Sequence, residues 1–545
     1  MKNNIFLLLL FGMLLFVGCF EDEGNYDYKK VEGPTWLINT ETEPIRVTCS
    51  QGETVKFRGH DYFVWKEDSA RMEDKVRYEW KLNDIVIGDK ADFDMPTDTL
   101  IKMLGITEFS ENGLYGSFSV IDRASEVNYM AKMLITIRSR YSKGDWLVLT
   151  EQGGNTVCSF VKNKKEMING TLVTSFVLEE NLYERLNGSS IPGKPLMMVK
   201  SPSTNISPLG ATTIITDQVA YVISNESLLK VSELKDEFLD GTPANFQVVS
   251  RRDADHYTFV ATKDGRVFRR VMSENFLGGK FLTEPYYIDN KGYEIVEFGL
   301  GRVGKTTIPC YDRKNRRVIV ISFTREMVID WDGSRPIISY ADMHKFNPVY
   351  PVAGGKLDHI APVWAMPEGT EVLLLCETDR VIMFPSTTSM MFSIYYNDKD
   401  GQTWMSDFVV SPKTGACIEY GQTFVKPFPG GNLDKDAVIL TSALSKANWV
   451  IYSKGEEVCC IDRSLNDEII PLLKAPSKVT YMGYTTNNTA ADEYKKLVIG
   501  CENGELLFYD IANIRAPKLI NEYKLNGKVV TCKEIGIFYG MVDAY

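Results

Sequence analysis

The sequence predicts an all-β chain, a β-sandwich followed by a β-propeller of about seven blades, on three observations. Short runs between residues 54 and 137 alternate apolar and polar side chains. A strand, turn, strand unit recurs from residue 146 onward. Almost nothing with helical spacing lies between these units, so neighbouring strands must cover one another.

The start of the chain stands apart from this pattern. Lys2 precedes an apolar run from Ile5 to Val17, too short to span a bilayer, which ends at Gly18-Cys19. Residues 1–18 therefore read as a signal peptide. Leu15-Phe16-Val17-Gly18-Cys19 resembles a lipobox, with Phe16 where leucine is usual. That resemblance implies cleavage before Cys19 and a diacylglyceryl thioether (a palmitate-type anchor) on its sulfur. Two acyl chains supply about 0.8 kcal/mol per buried methylene and hold a protein on a membrane where one short chain does not. The acidic, aromatic run Phe20 to Tyr26 resembles a surface-export signal of some Gram-negative lipoproteins. Residues 19–32 carry no hydrophobic periodicity and read as a lipidated tether.

Composition removes several function classes. The net charge is −11, with no clustering of Lys and Arg, which excludes nucleic acid as a partner. Beyond Cys19 the cysteines are Cys49, Cys158, Cys310, Cys376, Cys417, Cys459, Cys460, Cys501 and Cys532, without metal-site spacing. They read as separate buried thiols. In a strand, Cys459 and Cys460 must point to opposite faces. The only histidines are His60, His256, His344 and His359, none spaced as metal ligands. No nucleophile elbow is present, and 72 acidic residues give no basis for choosing a glycosidase pair. The sequence therefore assigns no catalytic residue, metal or cofactor.

Residues 33–140 form the predicted sandwich. Its strands are Thr54 to Phe57, Val76 to Leu82, Leu114 to Ile121 and Met133 to Ile137. Val76, Tyr78, Trp80 and Leu82 alternate, so this strand buries one face with Trp80 at the centre of the core. Asn112 to Asp122, with its Gly-Leu-Tyr start and Val-Ile-Asp end, looks like the closing strands of a PKD or immunoglobulin-like domain. With Tyr78-Glu79-Trp80 and Tyr141 to Thr150, it resembles the PKD-like family of lipoproteins over roughly the first 160 residues. Members of that family usually accompany outer-membrane nutrient-uptake systems of the starch-utilisation type. The resemblance thus implies an accessory binding role.

Residues 141–545 form the predicted propeller. Its units start at Trp146 to Leu149 with Val157 to Phe160, Ala220 to Ile223, and Thr258 to Ala261 with Gly265 to Phe268. They continue at Val318 to Ile321, Val372 to Leu375 with Val381 to Phe384, Trp449 to Tyr452 with Glu457 to Cys460, and Leu497 to Gly500 with Glu505 to Phe508. Their spacing is irregular, roughly 58 residues on average, as in a degenerate propeller with insertions. Asn225 to Leu239 reads as a helical insertion.

Two motifs suggest chemistry. Gly299 to Thr306 matches G-x-x-x-x-G-K-T, but Pro309 and a turn follow where a phosphate-binding loop needs a helix, so it reads as a turn. Ile394 to Trp404 resembles an Asp-box, a structural hairpin of sialidase-like propellers. Gly401, Thr403 and Trp404 align, and the aspartate position falls on Lys399 between Asp398 and Asp400. Those two carboxylates alone are too few for a calcium loop. Flat aromatic rings bind sugars and peptides well, and Tyr286, Tyr287, Trp331, Trp364 and Trp404 are the candidates, each with core packing as the alternative.

These readings predict an outer-membrane or cell-surface lipoprotein, held to the membrane by lipid on Cys19. Its expected role is non-catalytic capture of a glycan or peptide, or service to an outer-membrane nutrient transporter. The alternative is an exported polysaccharide hydrolase or lyase that uses the propeller channel.

Overall fold

The computed structural model describes residues 33–535, except 67–68, 111, 143, 169–170, 202–208, 255–256, 272–279, 302–306, 332–335, 385–386, 412–413, 442–448 and 485–494. The predicted signal peptide, Cys19 and the predicted tether lie outside the described residues. The chain divides into two compact units. One takes in Lys56–Asp94 and Leu114–Ile135; the other takes in everything from Thr136 onward together with Thr48–Val55 and Met95–Gly113.

The sandwich strands form a five-stranded sheet in the order Ile45–Ser50, Asn128–Arg138, Leu114–Asp122, Val76–Leu82, Ile85–Gly88. Thr54–Arg58 pairs with Asp92–Pro96 in a second, smaller sheet. Alternation decides what is buried: Val76, Trp80 and Leu82 face inward, and Tyr78 is half-buried. Trp80 is fully buried, stacks on Phe118 at 4.2 Å and meets Phe57 at 5.2 Å. Its indole N–H donates to the Lys90 carbonyl at 2.9 Å, which satisfies the one polar atom of the side chain.

At the edge of this unit His60 sits between two carboxylates. Its Nδ1 lies 2.9 Å from Asp92 and its Nε2 3.2 Å from Glu73. Glu73 also accepts from Trp65 Nε1 at 2.8 Å and from the Tyr78 hydroxyl. Burial would lower the His60 pKa, but the bonds to Asp92 and Glu73 outweigh it and raise it above the ordinary value. Only an imidazolium donates from both nitrogens, so a neutral His60 keeps one of the two bonds. The stabilisation is therefore full below the unfolded histidine's pKa of about 6.5 and is lost as pH rises through the higher folded value. Urea midpoints measured from pH 5.5 to 8.5 should fall across that window in the native chain and stay flat in His60→Gln. The difference should not exceed about 1 kcal/mol, because the pair is partly exposed. A profile unchanged by the substitution would show that the bridge contributes nothing.

From Trp146 onward the described residues form seven antiparallel sheets. Blade 1 runs from its innermost strand outward as Pro195–Ser201, Ala211–Thr216, Ala220–Ser224, Lys230–Glu233. Blade 2 is Val248–Ala254, Tyr257–Thr262, Val267–Val271. Blade 3 is Thr307–Asp312, Arg317–Trp331, Pro336–Pro348, with the segment around Phe298 bridged to Cys310 on the inner side. Blade 4 begins Glu371–Phe384, Thr387–Asn397, Thr403–Val410. Blade 5 is Ile439–Thr441, Trp449–Lys454, Glu457–Asp462, Glu468–Lys474, and blade 6 is Val479–Tyr484, Lys496–Cys501, Glu505–Asp510, Lys518–Lys524. Blade 7 is composite: Lys528–Glu534 pairs with Trp146–Gln152, which is followed outward by Asn155–Ile168 and Thr171–Glu179.

The cores close this series into a ring. One apolar cluster joins blades 1 and 2 through Val222, Val260 and Phe268; the next joins 2 and 3 through Phe259, Phe298 and Ile321. Clusters continue between 3 and 4, 4 and 5, and 5 and 6. Trp146 and Val148 pack with Val498 and Phe508 between blades 6 and 7, and Leu149 and Phe160 pack with Ile214 and Ile223 between 7 and 1. Sheets stacked face on face in an unbroken cycle make a seven-bladed propeller, which hides the apolar face of each strand without a helix.

Two expectations need correction. Val372 to Leu375 and Val381 to Phe384 are not a hairpin: both belong to the single strand Glu371–Phe384, whose register against Thr387–Asn397 shifts between Glu377 and Val381. The polar Glu377-Thr378-Asp379-Arg380 marks an irregularity within a strand rather than a turn. Asn225 to Leu239 holds the strand Lys230–Glu233 and the short 3-10 turn Leu234–Asp236, and no α-helix.

Candidate functional site

The inner strands of several blades carry buried charged side chains. Buried at or near the C-terminal ends of their strands are Lys200 and Ser201 in blade 1, Arg251, Arg252 and Asp253 in blade 2 and Glu534 in blade 7, and Glu377 is buried in the middle of Glu371–Phe384 in blade 4. Leu300, on the inner segment of blade 3, bridges Cys376 of blade 4 in parallel, so these inner segments run the same way. A Cβ on Gly301 would lie 2.8 Å from a Glu377 carboxylate oxygen and 3.4 Å from an Arg252 guanidinium nitrogen. A side chain at position 301 would therefore crowd the place where the side chains of blades 2 and 4 approach each other.

Part of this charge has a structural task. Arg251 donates from Nε to Asp253 at 3.1 Å and from Nη2 to Asp253 at 2.9 Å and to Ser201 at 2.6 Å; it also bonds the Thr213 hydroxyl. Ser201 and Thr213 belong to blade 1, so this ion pair fastens blade 2 to blade 1. Farther out, Arg270 pairs with Glu237, and burial pulls the Arg270 pKa down to about 10 although Glu237 opposes the shift. Blades 4 and 5 are fastened in the same way. Arg463 donates to Asp407 at 2.7 Å, Ser393 holds the other Asp407 oxygen at 2.6 Å, and the guanidinium lies 5.0 Å from the centre of the Phe424 ring. Burial would lower the Arg463 pKa, but the Asp407 carboxylate raises it.

The structure distributes the sequence candidates unevenly. Tyr286 stacks on Phe346 at 4.3 Å, and Trp364 and Trp404 pack against the core between blades 3 and 4, so these three are core residues. Tyr287 is 71% exposed and donates to Asn290 at 2.7 Å. The Trp331 side chain lies outside the described residues. In the Asp-box-like hairpin the aspartate role falls on Asp398, not on position 399. Asp398 accepts from the backbone of Asp400 and Gln402 at 3.0 Å each and from Trp404 Nε1 at 2.9 Å. A strand, Thr307–Asp312, follows the P-loop-like stretch, and residues 302–306 lie outside the described residues.

Of the nine described cysteines, eight are buried and Cys459 is intermediate, none of them in a disulfide. Burial pushes the Cys158, Cys376 and Cys460 thiols up to about 12. Among the described residues no group of three His, Cys, Asp or Glu side chains is placed to hold a metal ion. No described helix is long and apolar enough to cross a membrane.

The charged ends of the inner strands were not legible in the sequence. Val248 to Ala254 is not among the strands the sequence marks, because Arg251, Arg252 and Asp253 are consecutive, whereas pairing with Tyr257–Thr262 makes it a strand.

Comparison with known proteins places the N-terminal part of the chain. Residues 19–195 match the PKD-like family. The PKD-like match covers the sandwich and runs on through the three N-terminal strands of blade 7 to the first residue of blade 1. No curated protein matches the chain in sequence. Among solved structures, a quinonprotein alcohol dehydrogenase-like protein from Bacteroides thetaiotaomicron is 10% identical, with 72% of this chain and 98% of that one covered and a TM-score of 0.23. An apocarotenoid oxygenase from Synechocystis is 10% identical over 73% of this chain and 94% of that one, with a TM-score of 0.39. The dihydro-heme d1 dehydrogenase NirN is 11% identical over 79% and 75%, with a TM-score of 0.34. The propeller itself rests on the strand order and the cycle of clusters described above.

Proposed function

We propose that this protein is a lipid-anchored surface lipoprotein of the outer membrane whose propeller binds, without turnover, a glycan, a peptide or a partner in a nutrient-uptake system. The observation that carries the binding role is that Arg252 of blade 2 and Glu377 of blade 4, both buried, approach each other around Gly301 on the inner segment of blade 3. Loops and strand ends that converge on a central channel form a concave site with a few polar groups, the usual setting for ligand capture. The lipobox at Leu15 to Cys19 supports the anchor, and the PKD-like match supports kinship with accessory lipoproteins.

The test is a pull-down of the detergent-solubilised native protein, with Cys19→Ala as the unanchored control. A co-purifying transporter or an uncleaved retained glycan is the expected result. Cleavage of polysaccharide by the purified chain would overturn the proposal in favour of the enzyme.

A further inference from the structure

Arg251, Arg270, Arg317 and Arg463 each hold a carboxylate of their own, from Asp253, Glu237, Asp289 with Asp312, and Asp407 respectively. Arg269 holds none. Among the described residues no carboxylate is in ion-pair contact with it, and its Nη1 is buried without a hydrogen-bond acceptor. Strand geometry explains the difference. Val267–Val271 pairs with Tyr257–Thr262 without a register shift, so the consecutive Arg269 and Arg270 turn to opposite faces. Arg270 meets Glu237 on the side of blade 1. Arg269 turns towards blade 3, where its guanidinium carbon lies 5.4 Å from the centre of the Tyr257 ring and 5.6 Å from that of Tyr286. Both rings pack in the core between blades 2 and 3.

The rings hold the cation in place, but their attraction replaces only part of the hydration that a guanidinium loses there. The side chain is partly exposed, so an anion from outside can reach it. Register separates this place from Gly301. Arg252, Phe259 and Arg269 are partners across the three strands, so Arg269 stands two strands outward of Arg252 with the buried Phe259 between them.

The neighbouring chain indicates which anion fits. Leu282 N donates to the Arg269 carbonyl at 3.3 Å and Tyr286 N to the Val267 carbonyl at 2.9 Å, so residues 282–286 run along the arginine's strand. Within them the Thr283 hydroxyl is buried and has no hydrogen-bond partner among the described residues, and Glu284 is exposed and not paired with Arg269. Tyr287 follows, 71% exposed, and its hydroxyl bond to Asn290 fixes an open flat ring one residue beyond Tyr286. A guanidinium takes a planar carboxylate through two parallel bonds, and a flat ring takes the apolar face of a pyranose. Pro285 interrupts the outer edge of this segment, which disfavours a peptide that adds as a strand.

We propose that Arg269 binds the carboxylate of an acidic sugar at the seam of blades 2 and 3, with Thr283 and Tyr287 beside the sugar ring. The site is distinct from Gly301 and does not depend on the reading given for it.

Calorimetric titration of the full-length Cys19→Ala chain with a galacturonate hexamer, a neutral maltohexaose and a glutamate hexamer tests this. Galacturonate should bind, the other two should bind about tenfold more weakly or not at all, and Arg269→Gln should weaken galacturonate by about tenfold or more. Thermal melting shows whether the variant folds: galacturonate should raise the midpoint of the Cys19→Ala chain and leave that of the chain carrying Arg269→Gln as well unchanged. If Arg269→Gln does not fold, salt decides. Binding through a guanidinium must weaken several-fold over a tenfold rise in salt, and binding indifferent to salt overturns the proposal. So does binding of maltohexaose or of the glutamate hexamer as tight as that of galacturonate, binding of none of the three, or binding unchanged by Arg269→Gln. A neutral glycan retained alike by the native protein and by Arg269→Gln in the pull-down would end the acidic-sugar site while leaving the binding role intact.

Discussion

Removal of residues 528–545 opens the ring. Lys528–Glu534 is the innermost strand of blade 7, although the rest of that blade comes from Trp146 to Glu179. Without it, Trp146–Gln152 loses its ladder partner, and Val529 and Cys532 leave the cluster that joins blades 6 and 7. Burying a side chain of that size contributes about 1.5–3 kcal/mol, and the freed edge also exposes backbone donors and acceptors. The loss extends beyond blade 7, because each blade is covered by its two neighbours and an open ring leaves two sheet faces bare. The expected result is a truncated chain that is insoluble, or soluble with a urea midpoint lowered by the equivalent of about 5 kcal/mol or more. Addition of a synthetic peptide of residues 524–545 should restore part of the midpoint. A truncated chain with the native midpoint would disprove ring closure by this strand.

Asp253→Ala should be the most damaging single substitution in the propeller. It leaves the Arg251 guanidinium, with no exposed side-chain surface, without its counter-charge between blades 1 and 2. Breaking a buried pair by removing one partner costs about 3–5 kcal/mol, whereas replacing both partners by apolar residues of similar size is often neutral. Urea unfolding should therefore show a large loss for Asp253→Ala and a much smaller one for the double variant Arg251→Met with Asp253→Leu. If the double variant is as unstable as the single one, the site depends on packing shape and not on charge.

The alternating strands of the sandwich and the apolar hairpins of the propeller were the legible part of the fold. Val76 to Leu82 declares its register by alternation, and the hairpins at Trp146, Thr258, Trp449 and Leu497 are apolar runs separated by turn residues, as found. The inner strands were not legible, since polar and charged residues interrupt the apolar run by which a strand buried on both faces is recognised. There, Arg251 and Asp253 are compatible with burial only because they neutralise each other, and the sequence does not announce that pairing.

The thiols give the folded and unfolded chains different chemistry. In the ring they are set apart, mostly buried, and too weakly acidic to form the reactive thiolate. Once the blades separate, the same nine sulfurs reach water at ordinary acidity and within reach of other chains. In air, heating past the melting point then crosslinks one molecule to the next and prevents refolding. The lifetime of the native state under oxidising conditions is therefore set by how often the ring opens, a rate and not an equilibrium.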